Sequence, residues 1–192
     1  YRKFDPVNPT DVSIASSLGA ADKKVLGNVL PTYFGAFNSN MAYKNFDLGF
    51  MFRFSGGNKI NNLTRRELLS QGFNNNGTEI LGRWQSIDNP GDGWTPRLRD
   101  DRETIININQ ASSRFVEKGD YIKLDNITLG YNLPKSVLDK VGLEKFRLFV
   151  QGQNLLIITD YKGLDPEMEV LGNDYNGTPR SRIFSIGLNV GF

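Results

Sequence analysis

The chain has 192 residues, including 20 glycines and 13 phenylalanines, and its formal net charge is +2 with acidic and basic residues interspersed. It has no basic run of the kind that binds nucleic acid. It also lacks histidine and cysteine, which removes the commonest general base and the commonest metal ligands, so we expect no cofactor. No segment approaches the roughly 18 continuous apolar residues of a membrane-spanning helix.

Two alternating segments separated by a short turn begin the predicted structure. In residues 33–43, tyrosine, phenylalanine and methionine recur at every second or fourth position. The alternation is clearest in residues 46–55, where Phe46, Leu48, Phe50, Phe52 and Phe54 share one face of a strand and small or polar residues the other. Lys44 and Asn45 between the two segments predict a tight hairpin turn.

Residues 56–114 contain no comparable alternation and are predicted to form a long loop. Trp84 and Trp94 in this loop could stack on sugar rings or contact a partner protein, although packing within the loop is the interpretation we favour. Arg97 and Arg99 could hydrogen-bond a polar ligand, and a solvated charge cluster is the simpler alternative.

A third strand is predicted over residues 121–133, ended by Pro134. Its first apolar residues are out of phase with those that follow, which either a β-bulge near Asp125 or a change of environment would explain. Residues 135–142 could form one or two helical turns, with Gly142 as the C-terminal stop.

Two further alternating segments complete the pattern. One starts at Phe146, and the other covers residues 184–192. The apolar residues that alternate along the last strand are Phe184, Ile186, Leu188, Val190 and Phe192.

The five strands are connected alternately by short and long segments. Residues 44–45 and 134–145 are short, whereas 56–114 and 156–180 are long. This asymmetry is typical of outer-membrane β-barrels, in which short turns face the periplasm and long loops are extracellular. We therefore predict an all-β, antiparallel transmembrane barrel segment with extracellular loops at 1–32, 56–114 and 156–180, and a periplasmic C-terminus. In that arrangement the lumen-facing residues are Arg53, Arg147, Gln151, Gln153 and Asn189.

The alternative is a soluble carbohydrate-binding β-sandwich that uses Trp84 and Trp94, because its strands also alternate. A catalytic role is not favoured. Asp165 and Glu167 might suggest a glycosidase carboxylate pair, but the Asp-Pro-Glu sequence is more typical of a turn. Asp92, between Gly91 and Gly93, likewise predicts a turn.

Several segments resemble the SusC/RagA family of TonB-linked outer-membrane proteins, in the order in which they occur in that family. They are GNVLPTY from Gly27 with the hairpin that follows it, RFVEKGDYIKLDNITLGYNLPKSVL from Arg114, FRLFVQGQNLLIITDYKGLDPE from Phe146 and TPRSRIFSIGLNVGF from Thr178. The resemblance covers most of the chain and is weakest over residues 61–109.

The resemblance implies TonB-dependent import of oligosaccharide or peptide across the bacterial outer membrane, with a SusD-like lipoprotein as the lid. This chain would supply the last five strands of a barrel of about 22 strands. The plug domain, the earlier strands and the segment that contacts TonB would lie outside it. The last strand, from Phe184 to Phe192, would form the signal recognised by the barrel-assembly machinery, and its apolar face would contact membrane lipid.

Overall fold

The computed structural model describes residues 23–70, 75–98, 112–167 and 171–192. Its strands are β1 Tyr33–Tyr43, β2 Phe46–Gly56, β3 Lys59–Asn62, β4 Val116–Lys118, β5 Tyr121–Asn132, β6 Lys145–Thr159, β7 Asn173–Asp174 and β8 Ile183–Gly191. Its α-helices are α1 Leu63–Leu68 and α2 Lys135–Val141, and two short 3-10 helices cover Thr78–Gly82 and Ser113–Phe115. No helix in these ranges has the length and apolar character needed to cross a membrane.

Five strands form one open antiparallel sheet in the order β1-β2-β5-β6-β8, which we call the main sheet. These are the five strands predicted from alternation. Lys44 has a positive φ of 53° in the turn between β1 and β2, as a tight hairpin requires. The all-β, antiparallel prediction is therefore confirmed, and β1 and β8 form the two edges of the sheet.

The irregularity predicted near Asp125 is a β-bulge. The pairing of β2 with β5 passes from Met51–Asn126 to Phe52–Leu124, so Asp125 has no partner on β2. On its other side, β5 passes from Leu124–Leu156 to Asn126–Gln153, and Asn154 in the β6 interruption has a φ of 55°. The bulge shifts the alternation by one position, which keeps apolar residues on one face along all of β5.

The short helix α2 also agrees with the sequence. It follows Pro134 and ends at Gly142, whose φ of 70° and ψ of 31° lie in the left-handed region. Glycine adopts this conformation without the penalty that a Cβ would introduce, so it terminates helices efficiently.

The strand register places the two kinds of connection at opposite ends of the main sheet. Tyr33 pairs with Gly56, and Tyr121 pairs with both Ser55 and Thr159, at the end from which both long connections leave. The hairpin turn and α2 lie at the other end, where Lys145 pairs with Gly191.

The predicted loop at 156–180 begins too early. β6 continues to Thr159, because residues 156–159 pair with residues 121–124 beyond the bulge. The predicted loop at 56–114 also contains regular structure, namely β3, α1 and the 3-10 helix at Thr78–Gly82.

The two long connections fold together into a second unit, which we call the cap: the described residues of 57–120 and 160–182. Its centre is a small sheet in the order β4-β3-β7, in which β3 and β7 are parallel. Asn28, from the segment before β1, joins it through a bridge to Asn58.

The buried apolar side chains of the described ranges all lie outside the main sheet. Five are in the cap, and the sixth, Leu138, is in α2. The five are Ile60, Leu63, Leu69, Phe115 and Tyr161. By contrast, many apolar side chains on one face of the main sheet are exposed. The buried core of the described residues is therefore mainly in the cap, and no such core covers a face of the main sheet.

Candidate functional site

The polar face of the main sheet brings together side chains from four strands. Arg53 on β2 is opposite Lys123 on β5, and Gln151 on β6 is opposite both Thr128 on β5 and Ser185 on β8. Directly opposed residues of an antiparallel pair project to the same side, so the ladder itself fixes this face.

A charged cluster occupies the polar face near the long connections. Its centre is Glu167, from the connection between β6 and β8. The carboxylate of Glu167 lies 2.6 Å from Arg53 Nη2, 2.7 Å from Lys123 Nζ and 3.3 Å from Arg180 Nη1. The Tyr121 hydroxyl donates to it at 3.3 Å. We call these residues, with Asp125, the Glu167 cluster.

Asp125 is the second acid of this cluster. It lies 3.0 Å from Arg53 and 3.9 Å from Lys123, so the bulge that interrupts the ladder also directs a carboxylate towards the two cations.

Lys123 is only 3% exposed, which makes its pairing with acids a requirement, because a buried ammonium without a partner is costly. Burial opposes ionisation of Glu167, but its bonds to Lys123 and its attraction to Arg53 and Arg180 outweigh burial and hold its pKa below the ordinary value.

A second ion pair lies at the opposite end of the polar face. Arg147 donates from Nε to Asp47 at 3.0 Å and from Nη2 at 2.5 Å, which is a bidentate pair. Asn132 donates to the same carboxylate at 2.9 Å. The pair connects β6 to β2 across β5, so it joins three neighbouring strands.

The residues predicted to face a lumen therefore share one face. Arg53 belongs to the Glu167 cluster, and Arg147 pairs with Asp47. Gln153 is opposite Asn126, and Asn189 is opposite Arg147. Whether this face lines a lumen stays a prediction.

In the cap, Arg65 of α1 contacts two carboxylates and one aromatic ring. Its guanidinium is paired with Glu79 through two hydrogen bonds, one of them 2.9 Å long from Nε, and it donates to Glu117 at 2.9 Å. It also lies 4.0 Å from the ring centroid of Trp94. The bonds from Arg65, opposed by partial burial, lower the pKa of Glu79.

Trp94 is packed within the cap. Besides Arg65, the guanidinium of Arg114 lies 4.1 Å from its ring centroid, and Phe115 contacts it edge-on at 6.1 Å. These contacts favour the packing interpretation of Trp94 over the stacking of a sugar ring. Cation–π contacts of this kind are stabilising when they are partly removed from water.

The other predicted ligand or lid contacts are more exposed. Trp84 is 37% exposed, and its backbone N–H donates to Thr95 at 2.9 Å. Arg97 lies in an exposed segment, and Arg99 lies outside the described residues. Asp92 is in a turn as predicted: it accepts hydrogen bonds from the backbone of Trp94 and Thr95, which lower its pKa.

Asp174 of β7 ties the two connections of the cap to each other. It accepts hydrogen bonds from the hydroxyls of Thr64 at 2.8 Å and Tyr161 at 2.5 Å. Asn62, which is fully buried, caps α1 by accepting from the Arg65 backbone at 2.8 Å. These bonds join residues that are up to 110 positions apart, which explains why sequence patterns did not reveal them.

The last strand presents an exposed apolar row. Phe184, Ile186, Leu188 and Val190 are 42–78% exposed, and Phe192, just beyond the strand, is 89% exposed. A role in barrel assembly stays a prediction for these residues.

Sequence reasoning missed Lys123, Asp125 and Glu167 as members of one cluster. The strand register of Arg53 and Lys123 could have suggested that they are opposite each other. The position of Glu167 could not be inferred, because it depends on how a long connection folds. Asp165 does form the predicted turn, since it accepts from the Glu167 backbone N–H at 2.9 Å.

No model of a protein family matches the sequence. The chain is 37% identical over 193 residues to TonB-dependent receptor P3 of Formosa agariphila, covering 95% of this chain and 18% of the receptor. It is 33% identical over 174 residues to TonB-dependent receptor SusC of Bacteroides thetaiotaomicron, covering 88% of this chain and 16% of the receptor.

The chain is related to TonB-dependent receptors of the SusC/RagA type. This confirms the resemblance carried by the sequence motifs. The chain spans less than a fifth of the length of the curated receptors that it matches.

The main sheet and cap also have counterparts of known fold. The chain superposes on the RagAB peptide importer with a TM-score of 0.77 in its 'open-open' state, at 24% identity, covering all of this chain and 20% of the importer chain. For the 'closed-closed' state the TM-score is 0.78 at 23% identity, covering 99% of this chain and 20% of that chain. The fold is thus shared with part of a SusC/RagA-type importer.

Proposed function

We propose that this chain forms part of the wall and one rim of a TonB-dependent importer in the bacterial outer membrane. The observation that supports this most strongly is the division of the main sheet into an exposed apolar face and a polar, charged face. Such a division suits lipid on one side and a water-filled lumen on the other. In this role the chain contributes shape and gating surfaces, not chemistry.

The exposed apolar face also argues against the soluble β-sandwich. A sandwich buries the apolar face of each sheet against the other. In the described ranges, Phe37, Leu129, Val150 and Ile186 on this face are 45–78% exposed. An apolar patch of this size is unfavourable when it is exposed to water, whereas contact with lipid would stabilise it.

The open edges of the main sheet imply further strands. Unpaired backbone groups at β1 and β8 would be costly in lipid, so we propose that neighbouring strands complete a closed barrel of about 22 strands. The plug and the segment that contacts TonB would then come from elsewhere in the receptor.

The cap would form part of the extracellular rim in this arrangement. Both of its connections leave the same end of the main sheet, and the short turns lie at the other end, which would be periplasmic together with Phe192. We propose oligosaccharide or peptide as cargo and a SusD-like lipoprotein as the lid, because the family resemblance implies both and the structural neighbour RagAB is a peptide importer. A lid would have the exposed side chains of the cap available for contact, among them Ile87 and Leu171.

Cysteine labelling of intact cells tests this orientation. The chain has no cysteine, so single cysteines at Ile87 in the cap and at Lys140 in α2 can be introduced without background from this segment. A membrane-impermeant maleimide should label Ile87→Cys on intact cells and Lys140→Cys only after the outer membrane is permeabilised. Labelling of Lys140→Cys alone on intact cells would reverse the orientation and refute the proposed rim.

A further inference from the structure

The Glu167 cluster contains more basic than acidic side chains. Arg53, Lys123 and Arg180 all lie within 3.3 Å of the Glu167 carboxylate, and within the cluster the second acid, Asp125, approaches Arg53 and Lys123. Three cations and two carboxylates leave one positive charge in excess. This charge lies on the polar face of the main sheet.

Two of the three cations, Arg53 and Lys123, are held differently from the carboxylate that they bind. Arg53 and Lys123 are directly opposite each other in the ladder of β2 and β5, so hydrogen-bonded strands fix their backbones. Glu167 comes from a turn in the connection between β6 and β8, where Asp165 accepts its backbone N–H. Arg53 and Lys123 therefore belong to the strands of the wall, whereas Glu167 and Arg180 both belong to the connection between β6 and β8.

Burial makes an anion necessary at this position. The side chain of Lys123 is 4% exposed and that of Glu167 is 10% exposed. If Glu167 left, the acid remaining near Lys123 among the described residues would be Asp125 at 3.9 Å, beyond hydrogen-bonding distance. Arg53 also has a spare donor, because its buried Nε has no hydrogen-bond partner in the cluster.

We propose that Arg53, Lys123 and Arg180 form an anion-binding site on the polar face, and that Glu167 is a replaceable occupant for which a carboxylate-bearing solute can substitute. This inference rests on the proposed function in one respect, that the polar face is the one along which solute passes. A planar carboxylate suits the site because a guanidinium binds its two oxygens in parallel.

Replacement is a competition between a tethered and a free carboxylate. Glu167 is tethered a few residues beyond the end of β6, and a group held in this way has an effective concentration in roughly the millimolar range or above, so a free carboxylate must be abundant to displace it. Removing the Glu167 charge removes this competitor. The site should then bind a small carboxylate directly, and that binding should stabilise the folded receptor.

Acetate is a suitable probe for the purified, intact receptor. Thermal unfolding of Glu167→Gln should be followed in sodium acetate and in sodium chloride of equal ionic strength. Acetate should stabilise Glu167→Gln saturably, increasing the ratio of folded to unfolded receptor about elevenfold at ten times its Kd. The double variant Glu167→Gln/Lys123→Met lacks the central cation and should lose the response. Glu67→Gln, which removes an exposed carboxylate from α1, should behave as the wild type.

Equal responses of Glu167→Gln to acetate and chloride would overturn the proposal. If Glu167→Gln does not fold, hydrogen exchange of residues 160–167 in the wild type decides the matter. Faster exchange in acetate than in chloride supports displacement of Glu167, and identical exchange refutes it. These titrations measure the anion site alone, whereas cysteine labelling measures orientation, so a failure of one is distinguishable from a failure of the other.

Discussion

The main sheet and the cap are stabilised in different ways. The main sheet has long, regular backbone ladders, yet its large apolar side chains are exposed along one face. The cap has only short strands and one turn or two of helix, yet it contains five buried apolar side chains and a network of buried polar groups. Regular structure and a buried core are therefore located in different parts of one chain.

The difference implies that the two regions depend on different solvents. Apolar side chains stabilise a fold when they leave water, and in the proposed barrel those of the main sheet do so by entering lipid. The cap excludes water from its own core, so its stability should depend little on the membrane. Substitutions that act on one region should leave the other nearly unchanged.

The largest effect is expected from removing the centre of the cap core. Phe115 is 1% exposed and contacts Trp94, so Phe115→Ala should lower the stability of the cap by about 3–5 kcal/mol, the usual cost of deleting a buried phenylalanine ring. Hydrogen exchange of the intact receptor in membranes should show rapid exchange in the cap. Ile87→Ala is the control, because Ile87 is 90% exposed. Equal loss of protection in the main sheet would contradict the independence of the two regions.

A charge on the apolar face should affect the main sheet instead. Val150 lies in the middle of β6, opposite Leu129 and Ile186. Val150→Arg should destabilise the folded barrel by about 2–4 kcal/mol in a bilayer, as lipid-facing arginines do near the midplane. The amount of heat-modifiable receptor in the outer membrane measures this effect.

The neighbouring residue provides a matched control for that substitution. Gln151 is on the polar face of the same strand, so Gln151→Arg introduces the same side chain towards the opposite medium. It should leave the level of folded receptor close to that of the wild type. If both variants were equally depleted, the assignment of the two faces to lipid and water would be wrong.

The difference between the main sheet and the cap explains which features could be predicted from the sequence. The strands of the main sheet follow from period-two alternation, and the bulge at Asp125 follows from a break in that alternation. Gly142 ends α2 for a local reason, its positive φ. Each of these features depends on residues that are adjacent or a few positions apart, so the pattern of a short segment determines it.

The cap could not be predicted in this way. β3 and β7 are four and two residues long, which is too short for alternation to be recognised, and the residues that pair between them are more than 100 positions apart. Arg65 and Glu117 pair across 52 positions, and Thr64 and Asp174 across 110. Such contacts form only when the long connections fold against each other. The pattern within a short segment does not identify the residue with which each side chain pairs.

A smaller and pH-dependent effect is expected for the ion pair of the cap. The pKa of Glu79 lies below its ordinary value because of its bonds to Arg65, despite some burial. A carboxyl with a lowered pKa in the folded state contributes stability that is present above its unfolded pKa of about 4.3 and is lost as pH falls through the folded pKa. Glu79→Gln should therefore destabilise the cap by about 1 kcal/mol at neutral pH, since the pair is partly exposed to solvent.

The pH dependence separates the ion pair from packing. Wild-type cap amides should lose protection as pH falls below about 4.3, and Glu79→Gln should show a smaller loss over the same interval, because one carboxylate that must be protonated has been removed. Glu67→Gln is again the control, since its side chain is 57% exposed and its ion-pair partner among the described residues is the neighbouring Arg66. A Glu79→Gln profile parallel to that of the wild type would show that Arg65 stabilises the cap through Trp94 and Glu117 rather than through Glu79.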